Sequence, residues 1–226
     1  MTAPPELLRL LLLRHAQTAH NRDGLVQGRA DNPLSELGQR QAAALAERLS
    51  TAPLEAIYSS PLVRARQTAE AIAAPHGLGV AIEPDLIEMD IGAMEGLSGA
   101  ELRERFPEFM KAWLSQDAGG AAMPGGESLA QVQARAMAVV ERVIARHPAG
   151  VAAVVSHNFV LLTVLCAILG LPLHEFRRLR QGVASLAIVE VLPGQRRLVS
   201  FNDLCHLEAA GLLGEDPWHV RRGLPL

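Results

Sequence analysis

Three short apolar runs, residues 8–13, 56–59 and 151–156, constrain this chain most, because each stops abruptly at a cluster of polar residues. Runs of that length, nearly all apolar rather than alternating, read as strands buried on both faces, as in a parallel sheet. Helical signals follow each of them. Ser35 can cap a helix running to about Ser50, and Ser60-Pro61 offers an N-cap with proline at the first helical position, for a helix to about Ala74. In residues 128–146, Leu129, Val132, Ala136, Val139, Val140 and Val143 recur at helical spacing, and the apolar run 159–173 reads as a core helix. Such alternation implies an α/β layer with right-handed crossovers. Residues 185–192 and 196–202, separated by Pro193-Gly194-Gln195, alternate polar and apolar as a hairpin does. The expected fold is therefore α/β, with a mostly parallel mixed central sheet flanked by helices in three layers. Residues 98–126, with Phe106, Phe109, Met110 and Trp113 ahead of a glycine-rich loop, break the rhythm and read as a small helical insertion.

The chain has 226 residues, 49% hydrophobic and 20% charged, enough apolar surface for one substantial core, so residues 1–226 are expected to form one domain with a partly ordered tail over 208–226. A net charge of −3 supplies no global field for nucleic acid or an anionic membrane, so any affinity for phosphate must be local. The run 159–173 is shorter than the ~20 residues that span a bilayer, and Arg9 interrupts the leucines near the start, so neither a membrane span nor a signal peptide is expected. Two cysteines, Cys166 and Cys205, make no disulfide framework and suit a reducing cytoplasm.

Ligands of open α/β sheets sit beyond the carboxyl ends of strands. Here those ends carry Arg14-His15-Ala16-Gln17-Thr18, then Ser60-Pro61-Leu62-Val63-Arg64, then Ser156-His157-Asn158. Any one arginine could be a surface ion pair, and any one histidine a capping or core residue. If the strands are neighbours, however, two arginines and two histidines converge. Arginine presents planar forked donors that match phosphate, and a neutral imidazole presents a lone pair able to attack phosphorus.

The series Arg14-His15-Ala16-Gln17-Thr18 with Asn21, then Gln27-Gly28, Asp31 with Pro33-Leu34-Ser35 and Gly38, then Ser59-Ser60-Pro61-Leu62 with Arg64-Ala65, Gln67-Thr68-Ala69, and Glu88 with Gly92, Glu95 and Gly96 resembles the histidine phosphatase superfamily, which includes cofactor-dependent phosphoglycerate mutases. It continues through Gly125-Gly126-Glu127-Ser128, Ser156-His157, Asn202-Asp203 and His206-Leu207, so the resemblance covers roughly residues 8–207. It implies a phosphoglycerate mutase-like fold and a metal-independent, cofactor-free phosphomonoesterase acting on a small-molecule phosphate ester. His15 would be the nucleophile, its other ring nitrogen donating to a backbone carbonyl; Arg14, Arg64 and His157 would surround the phosphoryl oxygens, with Asn21 in support. His157 would be protonated when phosphate is bound. Glu88 would be the general acid and then the base, with a pKa raised by phosphate charge and partial burial. Gln27 would reach phosphate or substrate. Gln17 and Thr18 would either touch substrate and orient the catalytic loop or serve as turn residues, and Asn158 would be a further substrate contact.

Two departures from the family pattern bear on geometry. Ala16 replaces a usual glycine, so its backbone must avoid positive φ and its methyl could narrow the pocket; Phe159 follows Asn158 where small residues are usual. A phosphoglycerate mutase is the alternative, but Val26-Gln27-Gly28-Arg29 stands in place of a Thr-Gly-Trp-like sequence, and the mutases' longer insertion is missing from residues 98–126. A non-catalytic phosphate-binding module would need neither a nucleophile nor an acid. Phe106, Phe109, Met110 and Trp113 either line the entrance or pack the insertion onto the sheet, and Arg29, His20 and Arg22 are candidates for a second anionic group. Members of the family occur as monomers, dimers and tetramers, so a homodimer is compatible with a sequence that selects no assembly state.

Overall fold

Strands that are apolar throughout need cover on both faces, and alternation decides which residue meets which layer. In the computed structural model, which describes residues 7–214, this partition divides the core in two. From β1 (Leu8–Arg14), Leu8, Leu10 and Leu12 enter one apolar cluster and Leu11 and Leu13 the other. From β4 (Gly150–Ser156), Ala152 and Val154 join the first, and Val151, Ala153 and Val155 the second. With β2 (Leu54–Ser59), β3 (Val80–Ile82), β5 (Leu186–Leu192) and β6 (Gln195–Asp203), these strands form a six-stranded sheet ordered β3-β2-β4-β1-β5-β6. The pairs β1/β4, β2/β4 and β2/β3 are parallel, while β5 is antiparallel to both of its neighbours.

Helices cover both faces. The helices are α1 (Ala19–Asp23), α2 (Glu36–Leu49), α3 (Val63–Ala73), α4 (Gly99–Arg105), α5 (Pro107–Trp113), α6 (Leu129–Arg146), α7 (Asn158–Leu169) and α8 (Cys205–Ala209). All six residues expected to face inward from α6 are buried in the first cluster, each worth up to about 1.5–3 kcal/mol for a valine or leucine. Residues 160–166 of α7 are buried on every side, as an all-apolar helix requires. α2, α3 and α8 supply the second cluster through residues such as Leu45, Ile72 and Leu207. The insertion contains α4, α5 and a 3₁₀ turn at Gln116–Gly119, and its Leu102, Trp113, Ala118 and Met123 join the first cluster. No helix among the described residues is long and apolar enough to cross a membrane.

Several local expectations are corrected. Ser60-Pro61 does not start α3, which begins at Val63 with Leu62 as its uncapped N-cap residue; the Ser60 hydroxyl has another partner, described below. α7 stops at Leu169 because Gly170 takes the left-handed cap with φ 66°. β3 has only three residues, all half-exposed or exposed, a run too short to read as a strand. After Leu207 the chain is packed further than expected: Leu212 is buried and its carbonyl accepts from Gln41 Nε2 at 2.9 Å. The remainder of the expected tail, 215–226, lies outside the described residues.

Candidate active site

The register of the sheet assembles the site. Arg14 is level with Ser156 across β1/β4, and Ser59 is level with Val155 across β2/β4, so His15, Ser60 and His157 leave adjacent strands at one edge. The backbone continues this alignment: His15 N–H donates to Ser156 O, and Ser60 N–H to Val155 O, both at 3.0 Å. The His15 and His157 ring centroids are 5.1 Å apart. A cavity of about 420 Å³ opens on this edge, its inner end lined by Arg14, His15, Asn21, Gln27, Glu88 and Asn158.

His15 is buried, and both ring nitrogens are defined by their partners. Nδ1 donates to the Ala16 carbonyl at 2.8 Å, and Nε2 accepts from Arg64 Nε at 3.3 Å, which assigns the lone pair to Nε2. Burial, then the charges of Arg64 and Arg14, hold His15 well below the ordinary histidine pKa, so the ring is neutral at pH 7. His157 is depressed in the same way, by burial and then Arg64. Its Nε2 hydrogen-bonds to Ser60 Oγ at 2.6 Å, and Ser60 Oγ also accepts from Leu62 N–H. Its Nδ1 is buried with no partner among the described residues. In the protein alone the His157 ring is neutral, because a buried imidazolium beside Arg64 is costly without an incoming anion; the expectation of a proton on His157 concerns the phosphate-bound state.

Arg64 is fully buried, with Nη1 donating to Ala30 O at 2.8 Å and Nη2 to Gly28 O at 2.7 Å; burial lowers its pKa to about 10. Arg64 and His157 pack against His15 and do not line the cavity. Arg14 does line it, with Nη1 donating to Gln181 O at 2.8 Å. Glu88 is also buried on the cavity wall; its Oε1 accepts from Met89 N–H at 2.7 Å and its Oε2 from Phe159 N–H, at the start of α7, at 3.3 Å. Burial raises the Glu88 pKa against those hydrogen bonds and Arg64, so the protein supplies the expected shift itself.

Among the expected substrate contacts, Asn21, Gln27 and Asn158 line the cavity. Gln27 Oε1 accepts from Thr18 Oγ1 at 2.8 Å, while its Nε2 is buried without a partner among the described residues. Thr18 is buried and does not line the cavity; its hydroxyl contacts Asn21 Oδ1 as well as Gln27 Oε1, two residues that do. Gln17 does not line the cavity either. Its side chain accepts from Ser35 Oγ at 2.9 Å and its N–H donates to Gln41, tying the loop to α2. Ala16 keeps negative φ, as its side chain requires, and its methyl enters the second core cluster instead of narrowing the pocket. Arg29, His20 and Arg22 are off the cavity wall: Arg29 pairs with Asp90 and Glu127, Arg22 pairs with Asp23, and His20 meets Asn32. Phe109, Met110 and Trp113 both line the cavity and pack the insertion, whereas Phe106 only packs.

Two supporting networks escaped the sequence reading. Arg135 donates to the carbonyls of Asp85, Ile87 and Glu88 and binds both carboxylate oxygens of Glu127 at 3.0 Å; Glu127 in turn accepts from Asp90 N–H. Together they fix the segment that presents Glu88. Glu95 accepts from Gly28 N–H and Ala30 N–H, fixing the two carbonyls that hold Arg64. A Cβ at Gly28 would sit 2.8 Å from Met89 O, so glycine permits that close approach. Glu95 and Glu127 stand in the matched motifs, but an arginine on an amphipathic helix reads as a solvated residue.

A buried neutral imidazole flanked by arginines, with a buried carboxyl whose pKa burial raises, is equipment suited to phosphoryl transfer. Residues 10–204 match the histidine phosphatase superfamily (branch 1), and the chain belongs to that family. It is 36% identical to phosphoserine phosphatase 1 of Hydrogenobacter thermophilus over 89% of this chain and 95% of that one. It is 32% identical to a Yersinia enterocolitica protein named "Probable phosphoglycerate mutase GpmB", over 91% of this chain and 98% of that one. The solved structure of mycobacterial glucosyl-3-phosphoglycerate phosphatase superposes with a TM-score of 0.78 at 31% identity, covering 87% of this chain and 99% of that one.

Proposed function

We propose that this histidine phosphatase hydrolyses phosphate monoesters through a covalent phosphohistidine on His15 Nε2. One observation carries the reading: His15 Nδ1–H is pinned to Ala16 O, so the unprotonated nitrogen is Nε2, beside Arg64, on a ring that lines the cavity together with Glu88. In the first half-reaction Nε2 forms a bond to phosphorus as the ester P–O bond breaks. The Glu88 carboxyl gives its proton to the departing alkoxide, and the alcohol leaves. A water then attacks phosphorus, Glu88 takes the water's proton, the P–N bond breaks, and phosphate and neutral His15 are regenerated.

Phosphoryl transfer asks mainly for position and charge neutralisation. Arg14 and Arg64 supply fixed positive charge; Gln27 Nε2–H, without a partner among the described residues, is a donor suited to phosphoryl oxygens, and His157 Nδ1, likewise unpartnered among them, becomes one when the ring is protonated. Asn21 and Asn158 complete the oxygen contacts. An arriving dianion favours a proton on His157, reversing the depression caused by burial and Arg64.

The test measures phosphate release from a panel of monoesters, together with a denaturing quench at alkaline pH, where phosphohistidine survives. Wild type is expected to release phosphate and retain label, and His15→Ala to do neither. Hydrolysis without a trapped intermediate in a quench faster than turnover sinks the covalent route. Following 3-phosphoglycerate isomerisation in the same preparation separates phosphatase from mutase.

A further inference from the structure

The cavity carries more positive charge than one phosphoryl group requires. Its only acidic lining residue among those described is Glu88, which burial favours in the protonated form, yet four arginines line it: Arg14, Arg103, Arg177 and Arg180. Arg14 lies at the inner end beside His15. The other three come from α4 and from the segment between α7 and β5, and no carboxylate among the described residues pairs with them, although Arg178, one residue away, pairs with Glu175.

Arg177 is the most telling. Its guanidinium carbon lies over the Phe176 ring at 4.8 Å and the Trp113 ring at 5.8 Å, and its one hydrogen bond is a long 3.5 Å contact from Nη1 to His174 O. Nε and Nη2 are buried with no acceptor among the described residues. Buried guanidinium N–H groups without acceptors are costly, and ring faces hold a cation without directional bonds, so the side chain can swing towards an anion at small expense. The apolar wall leads from the acid to this cation. Phe159, whose N–H donates to Glu88, meets Trp113 edge-on at 5.8 Å, and Trp113 carries Arg177.

We propose that Arg177, with Arg103 and Arg180 beside it, forms a second anion subsite, so that the preferred substrate is a phosphate monoester whose alcohol has an apolar body and, beyond it, a second anionic group. The inference rests on the phosphatase reading above and narrows its substrate class. It moves second-anion recognition from Arg29, His20 and Arg22, which lie off the cavity, to arginines of the insertion and of the segment before β5. The apolar body would lie along Phe159 and Trp113, and the carboxylate or second phosphate would take the free guanidinium donors. Low-dielectric walls strengthen that attraction.

The experiment compares aryl phosphates that differ only at the far end: 4-carboxyphenyl against 4-carbamoylphenyl phosphate, and the corresponding biphenyl pair to cover a longer reach. For wild type, kcat/KM is expected to favour the carboxylate by roughly tenfold or more in at least one pair, falling with added salt. In Arg177→Met with Arg180→Met, which keeps an apolar stem on the rings, the carboxylate-to-amide ratio is expected to collapse towards one. The ratio is internal to each preparation, so partial loss of folded enzyme cancels. An Arg180→Met single variant, altering an exposed side chain, should lower the ratio partly. Hydrolysis of both members of each pair at equal rates by wild type, or a preference unchanged in the double variant, overturns the subsite and leaves the phosphatase reading standing. Hydrolysis of none of the four overturns that reading and the subsite together.

Discussion

The two ends of the cavity are built on opposite terms. At the inner end, His15 at the end of β1, Arg64 in the first turn of α3 and Glu88 on the segment after β3 are locked by named partners: His15 by Ala16 O and Arg64, Arg64 by the carbonyls of Gly28 and Ala30, Glu88 by two backbone amides. The outer wall comes from short helices and a 3₁₀ segment, its rings meet at 5.2–6.2 Å, and its arginines have no carboxylate among the described residues. A sheet edge fixes chemistry because register leaves little freedom, whereas segments laid over it can change their side chains without moving the nucleophile. On the proposed reading, reaction and specificity belong to different parts of this molecule.

The sharpest way to break that division is at the nucleophile. His15→Ala is expected to lower kcat/KM by at least about 10³-fold on every ester, with no dependence on the alcohol; a loss that varies strongly with the alcohol would put specificity at the inner end as well. Glu88→Gln ranks next, at about 10²–10⁴-fold for alkyl phosphates, and much less for p-nitrophenyl phosphate, whose leaving group departs without a proton. Because Glu88 must start protonated and His15 neutral, the wild-type kcat/KM profile should fall above the raised Glu88 pKa, and its acid limb should lie below pH 6.5. Glu88→Gln should lack the basic limb.

Stability provides a check of opposite sign at the same residue. A carboxyl with raised folded pKa keeps its proton while the unfolded chain loses its own, so stability falls as pH rises from the unfolded value of 4.5 to the folded one. Glu88→Gln should therefore melt higher than wild type at pH 8, and the advantage should vanish below about pH 4.5. Arg135→Met tests the positioning network that holds the Glu88 segment. It strips partners from three carbonyls and from Glu127 at a side chain only 15% exposed, so a loss of about 2–4 kcal/mol is expected, read as a fall in Tm of roughly 5–15 °C. If Arg135 acts through Glu88, the basic limb of the pH profile moves as well; a lowered Tm with an unmoved limb would make Arg135 structural only.

Sequence disclosed the inner end because each part of it is local: an apolar run, then a polar residue at its end. Parallel register then brings His15, Ser60 and His157 to one edge without further information. What stayed hidden depends on contacts between distant segments. Arg135 is one charge on a long helix, and nothing in its neighbours says that three carbonyls 47–50 residues earlier need its donors. Ser60 carried a strong helix-start signal, yet tertiary structure directs its hydroxyl to His157 instead. Arg177 sits among six polar or charged residues in 174–181 that look solvated as a string; its burial against Trp113 depends on an insertion more than sixty residues away in the chain.

The smallest effect tests whether the chemistry loop is held by the core or by its own sequence. Ala16 stands at a position where the family usually has glycine, but its φ is negative and its methyl is fully buried with Leu13, Leu34 and Leu45 in the second cluster. Its carbonyl holds His15 Nδ1, and its N–H donates to Thr68 Oγ1 at 3.1 Å. Restoring glycine removes a buried methyl and returns backbone freedom to the unfolded chain, a cost of about 1–2 kcal/mol. Ala16→Gly should lower Tm by a few degrees while kcat/KM falls two- to threefold, since the carbonyl is still held through the Thr68 contact. A tenfold fall in kcat/KM with unchanged Tm would mean that the methyl orients His15 directly, and the inner end would then owe its geometry to side-chain packing as much as to strand register.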